Sequence, residues 1–316
     1  MDVLVECVPN FSEGRDPAKV DAIVQAMLGS PQVVLLDRQM DWDHHRSVIT
    51  LVGAPESLAE AVLGGVGRAA ELIDLTRHQG VHPRIGATDV VPFVPLHGVT
   101  LEDCAPLAVR VAEEIWRRFQ IPTYLYEAAA RRPERQQLEN IRRGQFERLR
   151  ERIGRDPTLW PDFGEPRLHP TAGATAVGAR KPLIAFNVFL STDDARLARA
   201  VARKVRASSG GLPSVKAIGL RLPSRARAQV ALNLTDYETT SIETAFQAVE
   251  RAAQALGAEV TGSEIVGLAP RRALPEEAVS RLKIENYRPE VILENRLEQA
   301  LAELELRSAG RKVHLS

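Results

Sequence analysis

Residues 215–237, "VKAIGLRLPSRARAQVALNLTDY", decide the fold because they set two strands in succession between two helices. Each strand-like run is rich in aliphatic residues, and a polar turn joins the two, which predicts a hairpin. Helical spacing of apolar positions flanks the hairpin on both sides. The flanking elements are a strand at 183–190, a helix at 193–208, a helix at 241–257 and a strand at 258–268. The second half of the chain therefore reads βαββαβ.

The first quarter of the chain repeats this order. A helix starts at Asp16, which can cap it, with Pro17 at its first position. The other elements are strands at 3–8, 33–37, 46–53 and 89–96 and a helix at 55–73. Pro92 and Pro95 suggest that the last of these strands lies at an end or an edge of its sheet. We predict an α+β protein with two ferredoxin-like βαββαβ subdomains, each a mostly antiparallel sheet with two helices on one face.

We expect an N-terminal subdomain at 1–181, a C-terminal subdomain at 182–272 and a helical extension at 273–316 that packs on the fold or on a second subunit. An αβ addition follows the first unit, with Thr100 and Asp103 in capping-box spacing. A cleft between two such units is a natural ligand site.

Two segments between the units differ in composition from the rest of the chain. Residues 127–155 hold nine arginines against five glutamates. A solvated, salt-bridged helix pair is the favoured interpretation, and the alternative is that one or two arginines turn toward an anionic ligand. Residues 162–182 are rich in glycine and proline and predict either a linker or a binding loop. The glycines at 171–180 would expose backbone N–H groups beside Arg180 and Lys181.

Composition limits the class of protein. Hydrophobic residues make up 44% and charged residues 26% of the 316, with 41 basic against 41 acidic side chains, so nothing favours nucleic acid or an anionic membrane as partner. No apolar run approaches the ~20 residues of a membrane span, and the N-terminus lacks the pattern of a signal peptide. We therefore predict a cytoplasmic protein. Cys7 and Cys104 have no metal or redox spacing and are predicted to be buried.

The stretch "RHQGVHPRIGATD" at 77–89 places His78 and His82 four residues apart. A metal-binding pair at that spacing needs a continuous helix, and Gly80 and Pro83 oppose one. Two interpretations remain from the residues alone: ordinary surface imidazoles, or a loop that holds His82 against a substrate.

Two further segments have a functional and an ordinary interpretation. Asn10 follows a strand directly and either forms a turn or contacts a ligand. Asp41 and Asp43 lie beside His44 and His45 between two strands. A polar hairpin loop is slightly favoured there, because an ion site would need a third convergent carboxylate.

Taken together, these motifs resemble the formiminotransferase family. The matching stretches are "VECVPNFSEG", "HRSVITLVG", "RHQGVHPRIGATDVVPFVP", "PTYLYE", "PDFGEP", "GATAVGARK", "AFNVFL", "QVALNLTDYE" and "GSEIVGLAP". The resemblance implies transfer of a formimino group from N-formimino-L-glutamate to N5 of tetrahydrofolate, which is a co-substrate, without a metal. It also implies a substrate tunnel between two subdomains and a homodimer, in the standalone form without the cyclodeaminase domain found in animals.

The resemblance places the catalytic histidine at His82 and the folate loop at about Gly164 to Gly173. Where animal relatives carry an acidic residue thought to assist that histidine, this chain has Gln39, and we expect Asp41 or Asp43 to substitute for it. His45 replaces a common asparagine. The residues expected to bind formiminoglutamate or folate are Asn10, Arg46, Arg84, Gly164, His169, Thr171, Gly173, Gly178, Arg180 and Asn187.

Three other functions compete. An N-formylglutamate donor would keep the fold and change the transferred group. A folate-binding protein that has lost catalysis would bind folate without turnover. A metal hydrolase that uses Asp41, Asp43 and the histidines would be sensitive to chelators, and it ranks last.

Overall fold

A computed structural model describes residues 3–30 and 32–308 of the chain. It contains two sheets and belongs to the α+β class, as predicted. The chain divides into two compact units, residues 1–180 and 181–316, each with a core of its own. Within the described residues, no helix combines the length and the apolar character that a membrane crossing requires.

The first unit begins with the predicted alternation of strands and helices. Asp16 caps the first helix by accepting the N–H groups of Ala18 and Lys19, and Thr100 and Asp103 form a capping box at the third. The elements are β1 Leu4–Cys7, β2 Asn10–Phe11, α1 Pro17–Leu28, β3 Val33–Asp41, β4 Arg46–Gly53, α2 Pro55–Leu72, β5 Thr88–His97, α3 Leu101–Phe119, β6 Thr123–Glu127, α4 Leu138–Ile141, α5 Gln145–Arg152 and β7 Thr175–Ala179.

The sheet of the first unit runs β3, β4, β1, β5, β7, β6 across its width, with the short β2 also lying between β4 and β5. The strands from β3 to β5 pair in antiparallel fashion, whereas β7 is parallel to both β5 and β6. One face of this sheet carries the large apolar core, which includes the buried residues of α1, α2 and α3. The opposite face is therefore left for other contacts.

β5 is an interior strand, and the prediction that its prolines mark an end or an edge was wrong. The carbonyl of Pro92 accepts a hydrogen bond from the N–H of Val8 at 3.2 Å. The N and C=O of one strand residue point to the same side, so the missing N–H of Pro92 faces the gap between β1 and β2. An interior proline is tolerated there because no ladder acceptor is lost.

The glycine-rich segment at 171–180 contains β7, so the prediction of exposed backbone N–H groups was wrong there. β7 lies between β5 and β6, and it pairs with β6 along its whole length and with β5 at residues 176–179. A Cβ on Gly178 would lie 2.5 Å from the carbonyl oxygen of Tyr126, which explains the small residue at this point. Tertiary pairing thus turns a loop-like composition into a strand.

The second unit has the element order predicted for residues 183–268. Its sheet runs β11, β8, β10, β9 and is antiparallel throughout, with the hairpin residues 215–222 forming the whole of β9. The elements are β8 Ile184–Leu190, α6 Ala195–Val205, β9 Val215–Leu222, β10 Arg227–Leu234, α7 Ile242–Gln254, β11 Val260–Val266, α8 Ala278–Arg281 and α9 Leu293–Ser308.

The chain after β11 contributes to the core of the second unit. Ala269, Leu274 and Leu282 are buried in the same cluster as Phe186 and Val230. Buried residues on both sides of residue 272 therefore share one core. The predicted division at 272 stays a prediction, and residues 309–316 of the predicted extension lie outside the described residues.

Candidate active site

The loop at 77–89 is fixed against the hairpin between β3 and β4. The N–H of Val81 donates to the carbonyl of Asp43 at 3.1 Å. A Cβ on Gly80 would lie 2.3 Å from the carbonyl oxygen of His44, so only glycine permits this close approach. The segment from His78 to Pro83 is not helical, as Gly80 and Pro83 predicted. The loop therefore presents His82 from a rigid, non-helical backbone.

The ring of His82 has one defined tautomer. Its Nδ1 lies 2.8 Å from the carbonyl oxygen of Pro83, which can only accept, so Nδ1 carries the proton. Nη1 of Arg46 lies 2.5 Å from Nε2 and 3.0 Å from Nδ1, so this cation sits against the ring and not in line with one lone pair. Because Nδ1 carries the proton, the free lone pair of the ring is on Nε2, close to the Arg46 cation.

The surroundings of His82 oppose its protonation. Burial lowers the pKa of His82 well below its usual range, and the positive charges of Arg46 and Arg142 lower it further. His44, whose ring centroid lies 5.5 Å away, acts in the same direction. At neutral pH the ring is therefore in the base form.

Arg46 and Arg142 are two cations held close to the same imidazole. Arg46 begins β4, and its pKa falls to about 10 because of burial and the nearby charge of Arg142. Arg142 follows α4 and pairs with Asp89, whose other oxygen accepts the N–H of Ile85 at 2.8 Å. One carboxylate thus offsets part of the charge of two guanidinium groups.

A brace of hydrogen-bonded residues supports the histidine loop, and its members are Glu13, His45, His78, Gln79 and Arg84. His45 faces the Glu13 carboxylate with one ring nitrogen and the Gln79 carbonyl with the other, both at 3.1 Å. Its ring stacks on that of His78 at a centroid distance of 4.3 Å. His78 donates from Nε2 to the carbonyl of His45 and accepts from Arg84 at Nδ1. His78 is thus a supporting contact of the loop.

The pKa values of this brace depend on local partners. Burial alone would raise the pKa of Glu13, but hydrogen bonds from His45 and from two backbone N–H groups outweigh it and lower the pKa to about 2. Burial lowers the pKa of His78 to about 4. Glu13 is therefore an anion and His78 a neutral ring at neutral pH.

Arg84 is a member of this brace. Every N–H of its guanidinium has a protein acceptor, which is His78, Gln145 or the bidentate carboxylate of Glu147. The carboxylate-binding role expected of Arg84 stays a prediction, and it would require the release of Glu147.

The two aspartates expected to orient His82 lie on the neighbouring hairpin. The carboxylate of Asp41 accepts the backbone N–H of His44 at 2.7 Å. Asp43 is buried, and its carbonyl holds the loop at Val81. The ring nitrogens of His82 contact Arg46 and the carbonyl of Pro83, and the role of the aspartates stays a prediction.

The sheet of the first unit has a polar face on the side opposite α1, α2 and α3. The pairing registers place side chains of one parity on this face, and they include Glu6, Asn10, Arg46, Thr50, Gly178, Arg180 and Tyr126. Burial raises the pKa of Glu6 to about 7, against the opposing charge of Arg180. The face therefore contains a carboxyl group whose pKa lies near neutrality.

Several polar atoms on this face are buried without a hydrogen-bond partner among the described residues. They are Oδ1 of Asn10, Nε of Arg46, Oγ1 of Thr50 and, at its margin, Nε of Arg142. Buried polar groups are normally paired, so a cluster of unpaired ones indicates a ligand site. Two of these atoms are guanidinium donors, which suit an anion.

The predicted folate loop has structural reasons for its glycines. Gly164 and Gly173 have φ angles of 114° and 71°, which other residues rarely adopt. Nδ1 of His169 accepts the N–H of Ala172 at 3.0 Å, and the carbonyl of Thr171 accepts the N–H of Leu75 at 2.8 Å. These residues hold a tight turn, and their folate contacts stay a prediction.

Asn187 belongs to the second unit. It is buried on β8 and donates to Glu264 of β11 at 2.9 Å. Glu264 also pairs with Arg225 at 3.3 Å. The contact of Asn187 with a substrate stays a prediction.

Sequence reasoning missed three members of this site. Glu6, Tyr126 and Arg142 are not among the predicted residues, although the sequence allows one or two arginines of 127–155 as anion contacts. The interruption of the apolar run of β1 by a carboxylate could have indicated Glu6. Arg142 carried no signal of its own among nine arginines.

The described residues contain no cluster of three or more histidine, cysteine, aspartate or glutamate side chains placed to hold a metal ion.

Two family models match the chain. The "Formiminotransferase domain, N-terminal subdomain" covers residues 4–180, and the "Formiminotransferase domain" covers residues 185–311. Glutamate formimidoyltransferase of Streptococcus pyogenes serotype M1 is 46% identical over 94% of this chain and 99% of that protein. The protein of the same name from Thermoplasma acidophilum is 42% identical over 94% and 98%. Formimidoyltransferase-cyclodeaminase of Mus musculus is 42% identical over 88% of this chain and 52% of that protein.

Proposed function

The chain belongs to the formiminotransferase family, and we infer that it transfers the formimino group of N-formimino-L-glutamate to N5 of tetrahydrofolate, giving 5-formiminotetrahydrofolate and L-glutamate. The observation that carries this inference is the 46% identity to a protein named glutamate formimidoyltransferase over nearly the full length of both. The neutral imidazole of His82 beside two arginines supports it, because the reaction moves a proton next to an anionic substrate.

The reaction needs one group that accepts and then returns a proton. N5 of tetrahydrofolate attacks the formimino carbon, and His82 takes the N5 proton at Nε2. The bond from that carbon to the glutamate nitrogen then breaks, and the leaving nitrogen receives the proton from His82. Proton transfer of this kind typically contributes about 10² to 10⁴ in rate.

The other residue assignments are part of this proposal. Arg46 and Arg180 bind carboxylates of the two substrates, since a guanidinium matches a carboxylate in a bidentate fork. The buried, unpaired donor of Arg46 supports the first assignment. The tight turn at His169 to Gly173 and the strand residue Gly178 position the folate.

We also propose that each unit is a ferredoxin-like subdomain. Two sheet orders support this, β5–β1–β4–β3 in the first unit and β11–β8–β10–β9 in the second, because both follow from the same βαββαβ order. The homodimer and the cytoplasmic location are proposed from the family alone. Light scattering of the purified protein would measure the mass of the assembly.

The donor decides between this function and its nearest alternative. An N-formylglutamate donor differs from the formimino compound by an oxygen in place of a nitrogen. The test is to incubate the protein with tetrahydrofolate and each donor in parallel, acidify, and measure the absorbance of methenyltetrahydrofolate. We expect a signal with formiminoglutamate. A signal with the formyl donor alone would reverse the assignment, and folate binding without either signal would indicate an inactive relative.

A further inference from the structure

Arg46 and Arg142 have hydrogen-bond donors that the described residues leave open. The Nε of each is buried and has no acceptor among the described residues. Arg142 lies close enough to Arg46 for its charge to lower the pKa of Arg46. Two neighbouring cations with open donors repel each other unless an anion joins them, so the pair has the charge and the geometry of a carboxylate site.

Two fully buried arginines of the first unit contrast with this pair. Arg84 is saturated by Glu147, Gln145 and His78. Arg135 is held by Asp162 and by the carbonyls of Thr158 and Trp160. Arg38 also has a buried, unpaired Nε, but it lies at α1, where it contacts the carbonyl of Pro17 and pairs with Asp21, whereas Arg46 and Arg142 lie together beside His82.

Arg46 also lies against the ring of His82. Its Nη1 is 2.5 Å from Nε2 and 3.0 Å from Nδ1, and Nδ1 is committed to the carbonyl of Pro83. A cation at this distance opposes the positive charge that the ring gains when Nε2 takes a proton. The ligand-free site therefore holds its base in a weakened state.

We propose that Arg46 and Arg142 bind the α-carboxylate of the formimino donor, and that this carboxylate offsets their charge beside the His82 ring and so strengthens the base at Nε2. The inference rests on the proposed function. The α-carboxylate is attached to the same carbon as the leaving nitrogen, so a site that touches the catalytic imidazole matches it. The glutamate tail of folate is separated from N5 by the rest of the pteridine and the aminobenzoyl group.

The charge change acts on the imidazole in the direction that catalysis needs. The charged and titratable groups around His82 are Arg46 on β4, Arg142 after α4 and His44 in the hairpin, with Asp41 beside His44 and Asp89 beside Arg142. A bound carboxylate offsets the two guanidinium charges, so the pKa of His82 rises from its lowered value. The donor thereby makes its own base stronger.

Arg142→Gln tests this against Arg143→Gln, a matched control on the adjacent, exposed arginine that donates to Asn140. We expect KM for formiminoglutamate to rise by roughly 10- to 100-fold in Arg142→Gln, as the loss of a charge-assisted hydrogen bond does, with KM for tetrahydrofolate unchanged. Arg142→Lys keeps a charge for Asp89 but lacks Nε, so it should show the same split if Arg142→Gln does not fold. Unchanged KM for the donor in Arg142→Lys would overturn the proposal. So would a rise in KM for tetrahydrofolate instead, which would assign the carboxylate to folate.

A second measurement follows the pKa of His82 by NMR, with L-glutamate as the probe. We expect L-glutamate to raise this pKa in the parent protein and in Arg143→Gln, and to have little effect in Arg142→Lys. An equal rise in all three would contradict a carboxylate site at Arg46 and Arg142. This titration needs no turnover, so it decides the inference even if neither donor gives methenyltetrahydrofolate in the assay of the proposed function.

Discussion

His82 is a neutral base in positively charged surroundings. The Pro83 carbonyl fixes its tautomer, and the guanidinium of Arg46 lies against its ring. Burial and positive neighbours keep the pKa of His82 low, so the ring is unprotonated over the whole physiological range. A base of this kind is available at every relevant pH but is weak until its surroundings change.

The first prediction at the residue scale concerns His82→Ala. We expect turnover to fall by about 10² to 10⁴, because the group assigned to move the proton is lost. Folate affinity should stay near that of the parent protein, which fluorescence titration with a stable folate would measure. Turnover close to the parent value would contradict the assignment of proton transfer to His82.

The second prediction concerns two buried carboxyl groups whose pKa values move in opposite directions. Burial raises the pKa of Glu6 to about 7 from 4.5, so its folded form binds a proton that the unfolded chain releases between those values. The free energy of unfolding of the parent protein therefore falls as the pH rises through this window. Glu6→Gln removes this fall, because glutamine does not titrate. The free energy of unfolding of Glu6→Gln, relative to the parent, should therefore increase by up to about 3 kcal/mol between about pH 4.5 and pH 8.

Glu13→Gln is the counterpart of opposite sign. The pKa of Glu13 is lowered to about 2, so its contribution to stability is present above 4.5 and is lost as the pH falls through about 2. At neutral pH this substitution should destabilise by about 1 to 3 kcal/mol in urea unfolding. If both variants changed stability with the same dependence on pH, the environments described for the two carboxyls would be wrong.

Among the elements, β7 is the strand that the composition of residues 171–180 did not predict. Its five residues are small, and its neighbours β5 and β6 supply the hydrogen bonds that composition alone cannot indicate. The basic segment behaves in a similar way, because α4 and α5 bury Ile141 and Leu149 against Tyr124 and Tyr126. That packing brings Arg142 to the polar face, while Arg143 stays exposed.

The prediction at this scale concerns Gly178→Ala. A Cβ would lie 2.5 Å from the carbonyl oxygen of Tyr126 and 2.6 Å from its ring, so β6 and β7 must separate. We expect a loss of about 1 to 3 kcal/mol in the free energy of unfolding. Gly154→Ala is the matched control, because its Cβ would meet only the carbonyl of Pro166 at 3.6 Å. Equal stability of the two variants in thermal unfolding would show that the contact in β7 is not tight.

At the scale of the whole molecule, each unit has a core that its own elements supply. The core of the first unit contains both cysteines, and the core of the second contains the segment after β11. Unfolding of the first unit can therefore be followed through its thiols without a label.

Cys7 and Cys104 should be unreactive in the folded protein. Both are buried, as predicted, and burial raises the pKa of Cys7 well above its usual range and that of Cys104 to about 11. We expect a disulfide reagent such as Ellman's to react with both only in denaturant, at a rate that follows the opening of the first unit. Rapid reaction of either thiol in buffer would contradict the described core.

Residues close together in the chain were enough to predict the βαββαβ order of elements, the caps of α1 and α3, the non-helical histidine loop and the family, because periodicity, capping residues and short motifs are local patterns. Long-range packing established that Pro92 is interior, that residues 175–179 form a strand, and that Arg142 rather than Arg143 lies beside His82. The physical reason is that strand neighbours, burial and the pKa of an imidazole depend on residues distant in sequence, which no local pattern specifies.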